Sequence, residues 1–263
     1  MRSAASLSLV FSLVACGSGS SSGGGDAGGG GSGGSSAGGA PTGGGATGGE
    51  TTGGGATGGG SCEDAPITEE NLGGGPDPEA GEFTLDEALE GLPAGAGPLR
   101  AIFETTSGTI TCELFPEIAP IGVANFVGLA RGRRPFEDGG AWIRGRRFYD
   151  GLTFHRVIDD FVAQGGDPEG NGFGGPGYEF VNEVAGESHT AGTLSYASAG
   201  PDTNGSQFFM VAEVPADFLD GDYTIFGRCE DVDVIQAITE VPTDGNDEPL
   251  SPILITSVRI TRC

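Results

Sequence analysis

The chain has 263 residues, of which 53 are glycine, and its 12 basic and 37 acidic side chains give a formal net charge of −25. A field of this sign repels a phosphate backbone, which argues against nucleic acid as a partner, and we attribute the acidic excess to solubility. No stretch reaches the roughly 18–20 apolar residues that a membrane span requires.

The first residues have the features of an export signal. Arg2 gives a positive start, and LSLVFSLVA at 7–15 is apolar but too short to span a membrane, which is typical of a cleaved signal peptide. LVAC at 13–16 resembles the bacterial lipoprotein signal, in which the cysteine is lipidated and becomes the new N-terminus. We predict a signal peptide over residues 1–15 and a lipid anchor on Cys16. An ordinary signal peptide followed by an incidental cysteine is the alternative.

The segment after Cys16 is suited to be a tether. Of the 45 residues from 17 to 61, 24 are glycine, and GGGATGG occurs twice. With few apolar side chains to offset backbone entropy, it is expected to be disordered, with an end-to-end distance of roughly 35–40 Å. We predict that residues 16–61 are the lipidated cysteine and its tether, in an exported protein bound to the bacterial cell envelope. Gly17 in place of Asp favours the outer membrane, and the sequence leaves the periplasmic and surface faces open.

Residues 62–98 are acidic and contain prolines, and they are predicted to be a linker with a short helix. TLDE at 84–87 fits a capping box, in which the first and fourth side chains satisfy backbone N–H groups at the start of a helix. Leu85, Leu89 and Leu92 then share one helical face.

The remaining segment, 99–263, is long enough for one domain with a hydrophobic core. Alternation over 99–115 predicts a β-hairpin, and PIGVANFVGLA at 120–130 predicts a helix with proline in its first turn. Further short strands are expected near 152–158, 161–164, 193–197, 206–212, 223–228 and 252–261, and a second helix over 231–239. Many short strands with isolated helices predict a mainly β fold, an antiparallel barrel with helices at its ends.

Four cysteines remain when Cys16 is set aside, namely Cys62, Cys112, Cys229 and Cys263. An even number in an exported protein is compatible with two disulfides, and the sequence leaves all three pairings open. No CxxC pair occurs, so the spacing does not fit a zinc site.

Three common kinds of site are disfavoured. GNGFGG at 170–175 matches the dinucleotide-binding pattern, but a strand-like segment follows where the pattern needs a helix, so a glycine loop is predicted. His155 and His189, the two histidines of the chain, have no further ligands at metal spacing. Neither Ser195 nor Ser206 lies in a nucleophile elbow. The sequence therefore predicts no cofactor, no metal site and no hydrolase centre.

Several ordered blocks of the domain together resemble the cyclophilin family. They are FYDGLTFHRVIDDFVAQGGDP at 148–168, GGPGYEF at 174–180, LSYASAGPDTNGSQFFM at 194–210 and FLDGDYTIFGR at 218–228. The resemblance covers 99–261 and implies a closed eight-stranded antiparallel β-barrel capped by two α-helices. It also implies a monomeric peptidyl-prolyl cis–trans isomerase that acts without a cofactor on proline-containing, unfolded or flexible polypeptides.

The resemblance also implies roles for individual residues. Arg156, which matches the family's FHR block, is implied to be the catalytic donor to the prolyl nitrogen, and Gln164 to orient the substrate and the arginine. The positions that match the substrate-binding wall are Phe161, Val162, Ala197, Ser198, Gln207, Phe209, Phe218, Leu219 and Tyr223.

Four of these positions depart from the family's commonest residues. Val162 stands in place of Met, Ser198 of Asn, Phe218 of Trp and Tyr223 of His. The change at Phe218 leaves sensitivity to cyclosporin open. A proline-segment binding or chaperone module on the cell surface, with little turnover, is the alternative function.

Overall fold

The computed structural model describes residues 67–213 and 216–262. The predicted signal peptide, the lipid anchor at Cys16, the tether, Cys62 and Cys263 lie outside the described residues. Within the described ranges, no helix is long and apolar enough to cross a membrane.

The described chain folds into short strands and three α-helices. The strands are β1 Glu70–Gly73, β2 Arg100–Thr105, β3 Gly108–Leu114, β4 Phe136–Asp138, β5 Ala141–Arg144, β6 Phe154–Ile158, β7 Val162–Gly165, β8 Thr193–Tyr196, β9 Phe208–Val211, β10 Ile225–Cys229 and β11 Ile255–Thr261. The helices are α1 Leu85–Leu89, α2 Pro120–Arg131 and α3 Val232–Thr239, and a 3-10 turn spans Asp217–Leu219.

Eight strands form one antiparallel sheet in the order β11-β2-β3-β10-β8-β9-β7-β6. The prediction of a closed barrel is wrong in this respect, because β6 and β11 are the two edges of an open, curled sheet. The start of β6 still contacts the residues just before β11, since the Phe154 N–H donates to the Ile253 carbonyl at 3.0 Å and Thr153 forms an isolated antiparallel bridge with Leu254. Further along β6, the Val157 N–H donates to the Asp247 carbonyl at 2.8 Å. A loop after α3 therefore occupies the edge of β6 that closure would have paired with β11.

Helix α2 lies at the centre of the main core. Phe126 packs against Phe103, Tyr149, Phe208 and Phe226, with ring centroids 5.0–6.1 Å apart. The helix is buried on all sides from its third residue to its end, because α1 and the preceding loop pack on the face away from the sheet. The predicted hairpin and the predicted helices over 120–130 and 231–239 are confirmed.

The segment between 67 and 98 packs on the domain. The capping box at Thr84 is present, and α1 follows it as predicted. Strand β1 was not predicted; it pairs with β5 in a second sheet of order β1-β5-β4. The Trp142 indole N–H donates to the Gly75 carbonyl at 2.9 Å and holds this segment in place.

A disulfide joins Cys112 on β3 to Cys229 on β10. The two residues are direct partners across the antiparallel ladder. The structure thus shows one of the bonds that the sequence left open.

Candidate active site

A row of side chains crosses four neighbouring strands on the face of the sheet away from α2. Arg156 on β6 is opposite Gln164 on β7, Gln164 is opposite Phe209 on β9, and Phe209 is opposite Ser195 on β8. Residues directly opposite in an antiparallel ladder project to the same face. The register therefore places the predicted arginine, glutamine and phenylalanine side by side.

The same face carries a hydrophobic cluster that is separate from the main core. Strand alternation explains the two clusters, because Ala163 and Met210 point into the core while their neighbours Val162 and Phe209 point outward. The buried members of the outer cluster are Val162, Ala197, Phe209, Val211, Ala216 and Leu219, with Ile158, Phe161 and Tyr223 packed against them. The structure thus brings six of the predicted substrate-binding residues into one apolar cluster, and the surface that this cluster presents is called the pocket below.

Two further predicted residues border this pocket. The Phe218 ring, which is 61% exposed, stacks on Phe161 with centroids 5.6 Å apart. Ser198 follows Ala197 directly and is buried. The Ala197 N–H donates to the Gln207 carbonyl at 3.0 Å, so the end of β8 is tied to the segment that precedes β9.

A chain of hydrogen bonds links the polar part of the site to the glycine loop. Gln164 Nε2 donates to Gln207 Oε1 at 2.9 Å. Gln207 Nε2 in turn donates to the carbonyls of Gly172 and Gly174 at 3.0 and 2.9 Å. Both predicted amides are therefore in place, and each bonds a neighbour within the site.

The loop at 170–175 is folded around a carboxylate and precedes no helix. The buried Asp167 side chain accepts the N–H groups of Glu169 at 2.8 Å and Asn171 at 3.0 Å. A Cβ on Gly174 would lie 2.0 Å from Asp167 Oδ1, so glycine is required there by the close approach. The predicted glycine loop is therefore present at 170–175.

Arg156 lies on the same strand as Ile158, which packs against the outer cluster. Its side chain is 31% exposed, and its Nη2 is 3.2 Å from Oδ2 of Asp247. Asp247 belongs to the loop after α3 and was not predicted as a site residue from the sequence. No motif around Asp247 marks it as a partner of a residue so distant in the chain.

The structure also joins Asp220, His189 and Ser195 in a line that the sequence analysis did not foresee. His189 Nδ1 lies 2.8 Å from Asp220 Oδ1, and its Nε2 lies 3.2 Å from Ser195 Oγ. The Ser195 hydroxyl is buried and donates to the Thr224 carbonyl at 3.0 Å, so it is engaged beneath the pocket. The His189 ring stacks on Phe209, with centroids 5.7 Å apart, and the line therefore supports the pocket floor.

The ionisation of this pair follows from its surroundings. Burial lowers the pKa of His189, although hydrogen bonding to Asp220 opposes that shift. The hydrogen bonds donated by His189 lower the pKa of Asp220. Within residues 67–213 and 216–262, no group of three or more His, Cys, Asp or Glu side chains is arranged to hold a metal ion.

The described part of the chain is therefore an open, curled antiparallel sheet whose outer face carries an apolar cluster and a row of side chains that begins with an arginine. Residues 100–260 match the family model "Cyclophilin type peptidyl-prolyl cis-trans isomerase/CLD". The chain therefore belongs to the cyclophilin family of peptidyl-prolyl cis–trans isomerases, and the enzyme class predicted from the sequence is confirmed.

Relatives that are named peptidyl-prolyl cis-trans isomerases occur in bacteria. Peptidyl-prolyl cis-trans isomerase A of Mycobacterium tuberculosis is 45% identical over 171 residues, which cover 61% of this chain and 91% of that protein. Peptidyl-prolyl cis-trans isomerase B of Streptomyces anulatus is 44% identical over 170 residues, which cover 62% of this chain and 97% of that protein.

Solved structures show the same fold. The crystal structure of a cyclophilin type peptidyl-prolyl cis-trans isomerase of Cryptosporidium parvum superposes with a TM-score of 0.55 at 30% identity, covering 63% of this chain and 99% of that one. A second crystal structure of that protein, in the presence of the dipeptide Ala-Pro, gives a TM-score of 0.54 at 30% identity, with 62% and 99% covered.

Proposed function

We propose that the chain accelerates X–Pro bond rotation in exported polypeptides and that Arg156 stabilises the twisted prolyl nitrogen. Rotation about a peptide bond meets a barrier of about 18–20 kcal/mol. The two X–Pro isomers differ by only about 0.5–1 kcal/mol, so the difficulty is kinetic. A catalyst of this reaction needs a site that favours the twisted state, and it needs no bond to the substrate.

The row Arg156, Gln164 and Phe209 is the observation that carries the proposal. The cluster around Phe209 offers an apolar surface for a proline ring, and the partly buried Arg156 lies in the same cross-strand row, with Gln164 between the two. A substrate whose proline ring enters the pocket would therefore place its prolyl nitrogen within reach of the guanidinium.

The chemistry of the twisted state explains why an arginine suits this place. As the bond twists, amide resonance is lost and the prolyl nitrogen becomes pyramidal and basic. The guanidinium stays charged and offers a rigid fork of donors, so its interaction is stronger in the twisted state than in either planar isomer. Such differential binding lowers the barrier, and one donor of this kind is worth about 10²–10³ in rate.

The role of Arg156 is tested with a short X–Pro peptide, by measuring cis–trans exchange with the wild type and the Arg156→Ala variant. Arg100→Ala is a matched control, because the Arg100 side chain is 34% exposed and also pairs with a carboxylate, that of Glu230 at 3.0 Å. We expect Arg156→Ala to lose about 100-fold in turnover and Arg100→Ala to retain it. Wild-type turnover in a folded Arg156→Ala variant would contradict the assigned role.

The alternative function is a proline-binding module with little turnover. It predicts that the wild type binds a proline-containing peptide without accelerating its cis–trans exchange. A relative was crystallised in the presence of the dipeptide Ala-Pro, which makes this dipeptide a suitable probe. Shifts of pocket resonances with Ala-Pro, without acceleration of the X–Pro peptide by the wild type, would support the binding module.

We also propose that the protein is exported and anchored by a lipid on Cys16, on the evidence of the sequence at 7–16. The test compares membrane and soluble fractions of cells that produce the wild type or Cys16→Ser. The wild type is expected in the membrane fraction and the variant outside it, and equal distribution of the two would contradict the anchor.

A further inference from the structure

Asp247 approaches Arg156 from outside the strands that form the pocket. Its Oδ2 lies 3.2 Å from Nη2 of the arginine, while Gln164 is the cross-strand neighbour of Arg156 on β7. Arg156 therefore neighbours both the carboxylate of the loop after α3 and strand β7, which carries the side-chain amide of Gln164. A carboxylate accepts from part of the planar donor fork and thereby restricts the orientation of the guanidinium.

The backbone of Asp247 is fixed to the strand that carries the arginine. Its carbonyl accepts the N–H of Val157, the residue after Arg156, at 2.8 Å. Asp247 also has a φ of +64°, a left-handed conformation that is uncommon outside glycine, although Asp and Asn tolerate it better than other residues. A strained residue of this kind persists where its surroundings determine it, and such residues concentrate at functional sites.

The loop around Asp247 is closed on itself. The carboxylate of Asp244 accepts the N–H groups of Asn246 at 2.8 Å and Glu248 at 3.0 Å, and the Asp244 N–H donates to the Glu248 carbonyl at 2.9 Å. These bonds hold Asp247 between Asn246 and Glu248 in the orientation that faces β6.

We propose that Asp247 is a positioning residue, which holds the guanidinium of Arg156 in the orientation that the twisted X–Pro bond requires. This proposal rests on the proposed role of Arg156. An arginine side chain loses substantial rotational freedom when it must adopt one geometry in the transition state. A carboxylate fixed on the neighbouring edge already restricts the arginine before the substrate binds, so less rotational entropy is lost in the transition state. We therefore expect the carboxylate to raise kcat and to have little effect on KM.

The positive φ of Asp247 permits a variant that separates this role from stability. Asp247→Gly removes the carboxylate and is at ease in the left-handed conformation, so its melting temperature should equal or exceed that of the wild type. We expect kcat to fall about fivefold with KM nearly unchanged. A fivefold loss in kcat corresponds to about 1 kcal/mol of activation free energy, which is the usual net contribution of one hydrogen bond. Asp247→Asn keeps an oxygen acceptor and tolerates the same φ, so it should restore most of the turnover.

Asp202→Gly is the matched control. Asp202 also has a positive φ, +61°, and its carboxylate accepts the N–H of Asn182 at 2.8 Å, so the variant changes the backbone and the net charge in the same way. It should retain wild-type kcat and KM. A folded Asp247→Gly variant with wild-type kcat, in a preparation where the wild type is active, would overturn the proposal.

A second measurement decides the proposal independently of activity. NMR of the Arg156 Nε–H and guanidinium groups, assigned by their loss in Arg156→Ala, reports the mobility of the side chain. We expect restricted motion in the wild type and in Asp247→Asn, and faster motion in Asp247→Gly. If the wild type did not accelerate the X–Pro peptide, the proposed function would fail, while this comparison would still support or overturn the positioning by Asp247.

Discussion

Gln164 and Gln207 are joined by a hydrogen bond between their side-chain amides, with Nε2 of Gln164 donating to Oε1 of Gln207 at 2.9 Å. Gln164 lies next to Arg156 across the sheet, and Gln207 bonds the carbonyls of Gly172 and Gly174. The pair therefore couples the arginine side of the site to the glycine loop.

We predict that Gln207→Ala lowers kcat/KM for an X–Pro peptide by about fivefold, because the Gln164 amide loses a hydrogen bond of about 1 kcal/mol. Hydrogen exchange of the amides of Gly172 and Gly174 should become faster, since the loop loses the contacts that hold it. Unchanged kcat/KM together with faster exchange would show that the loop does not contribute to the site.

The start of α2 gives a prediction on stability. Its N-cap residue, Ala119, supplies no side-chain cap, and Glu183 instead accepts the N–H of Ile121 at 3.1 Å and of Gly122 at 2.8 Å. A carboxylate at this place satisfies free N–H groups and interacts favourably with the helix dipole. We expect Glu183→Ala to lower the free energy of unfolding by about 0.5–2 kcal/mol, measured by urea unfolding.

The control for this variant is Glu179→Ala, which removes an exposed carboxylate nearby in the sequence. An equal loss of unfolding free energy in both variants would contradict the role of Glu183 as a cap.

The disulfide between Cys112 and Cys229 gives a second prediction on stability. It closes a loop with a sequence separation of 117 residues, which restricts the unfolded chain. We expect the double variant Cys112→Ala, Cys229→Ala to lose about 2–5 kcal/mol of unfolding free energy. Urea unfolding of both proteins under non-reducing conditions measures the loss. Equal midpoints and slopes would indicate that the bond does not constrain the unfolded state.

Local patterns account for the parts of the fold that the sequence predicted. The hairpin over β2 and β3 and the helix from Pro120 follow from the spacing of apolar residues within a few positions. The pocket residues were placed by the resemblance, because no local rule brings Phe161 and Phe218 together. The open edge of the sheet was not predicted, since it depends on where a distant loop docks.

Contacts between distant segments account for what the sequence did not reveal. Asp247 meets Arg156 only after α3 and the curled sheet are both in place. The line from Asp220 through His189 to Ser195 likewise needs the turn after Asp217 to fold back on β8. Neither the Arg156–Asp247 pair nor this line has a sequence motif, because its members are far apart in the chain and meet only in the folded structure.

The two buried histidines give a prediction on pH. Burial lowers the pKa of His155 and of His189 below the ordinary value of 6.5, although Asp167 opposes the shift of the first and Asp220 that of the second. The unfolded chain therefore binds protons at a higher pH than the folded chain does. The contribution of the two histidines to stability is therefore fully present about one pH unit above 6.5, and it is lost as the pH falls through 6.5 toward the lower folded pKa values.

His155→Leu tests this linkage cleanly. Within the described residues, neither ring nitrogen of His155 has a hydrogen-bond partner, so leucine removes a titrating group without breaking such a bond. We expect the free energy of unfolding of the wild type to fall between about pH 7.5 and 5.5, measured by urea unfolding, and to fall less in His155→Leu, where His189 alone remains. A wild type whose stability is constant over this range, or a variant with the full wild-type slope, would contradict the assignment.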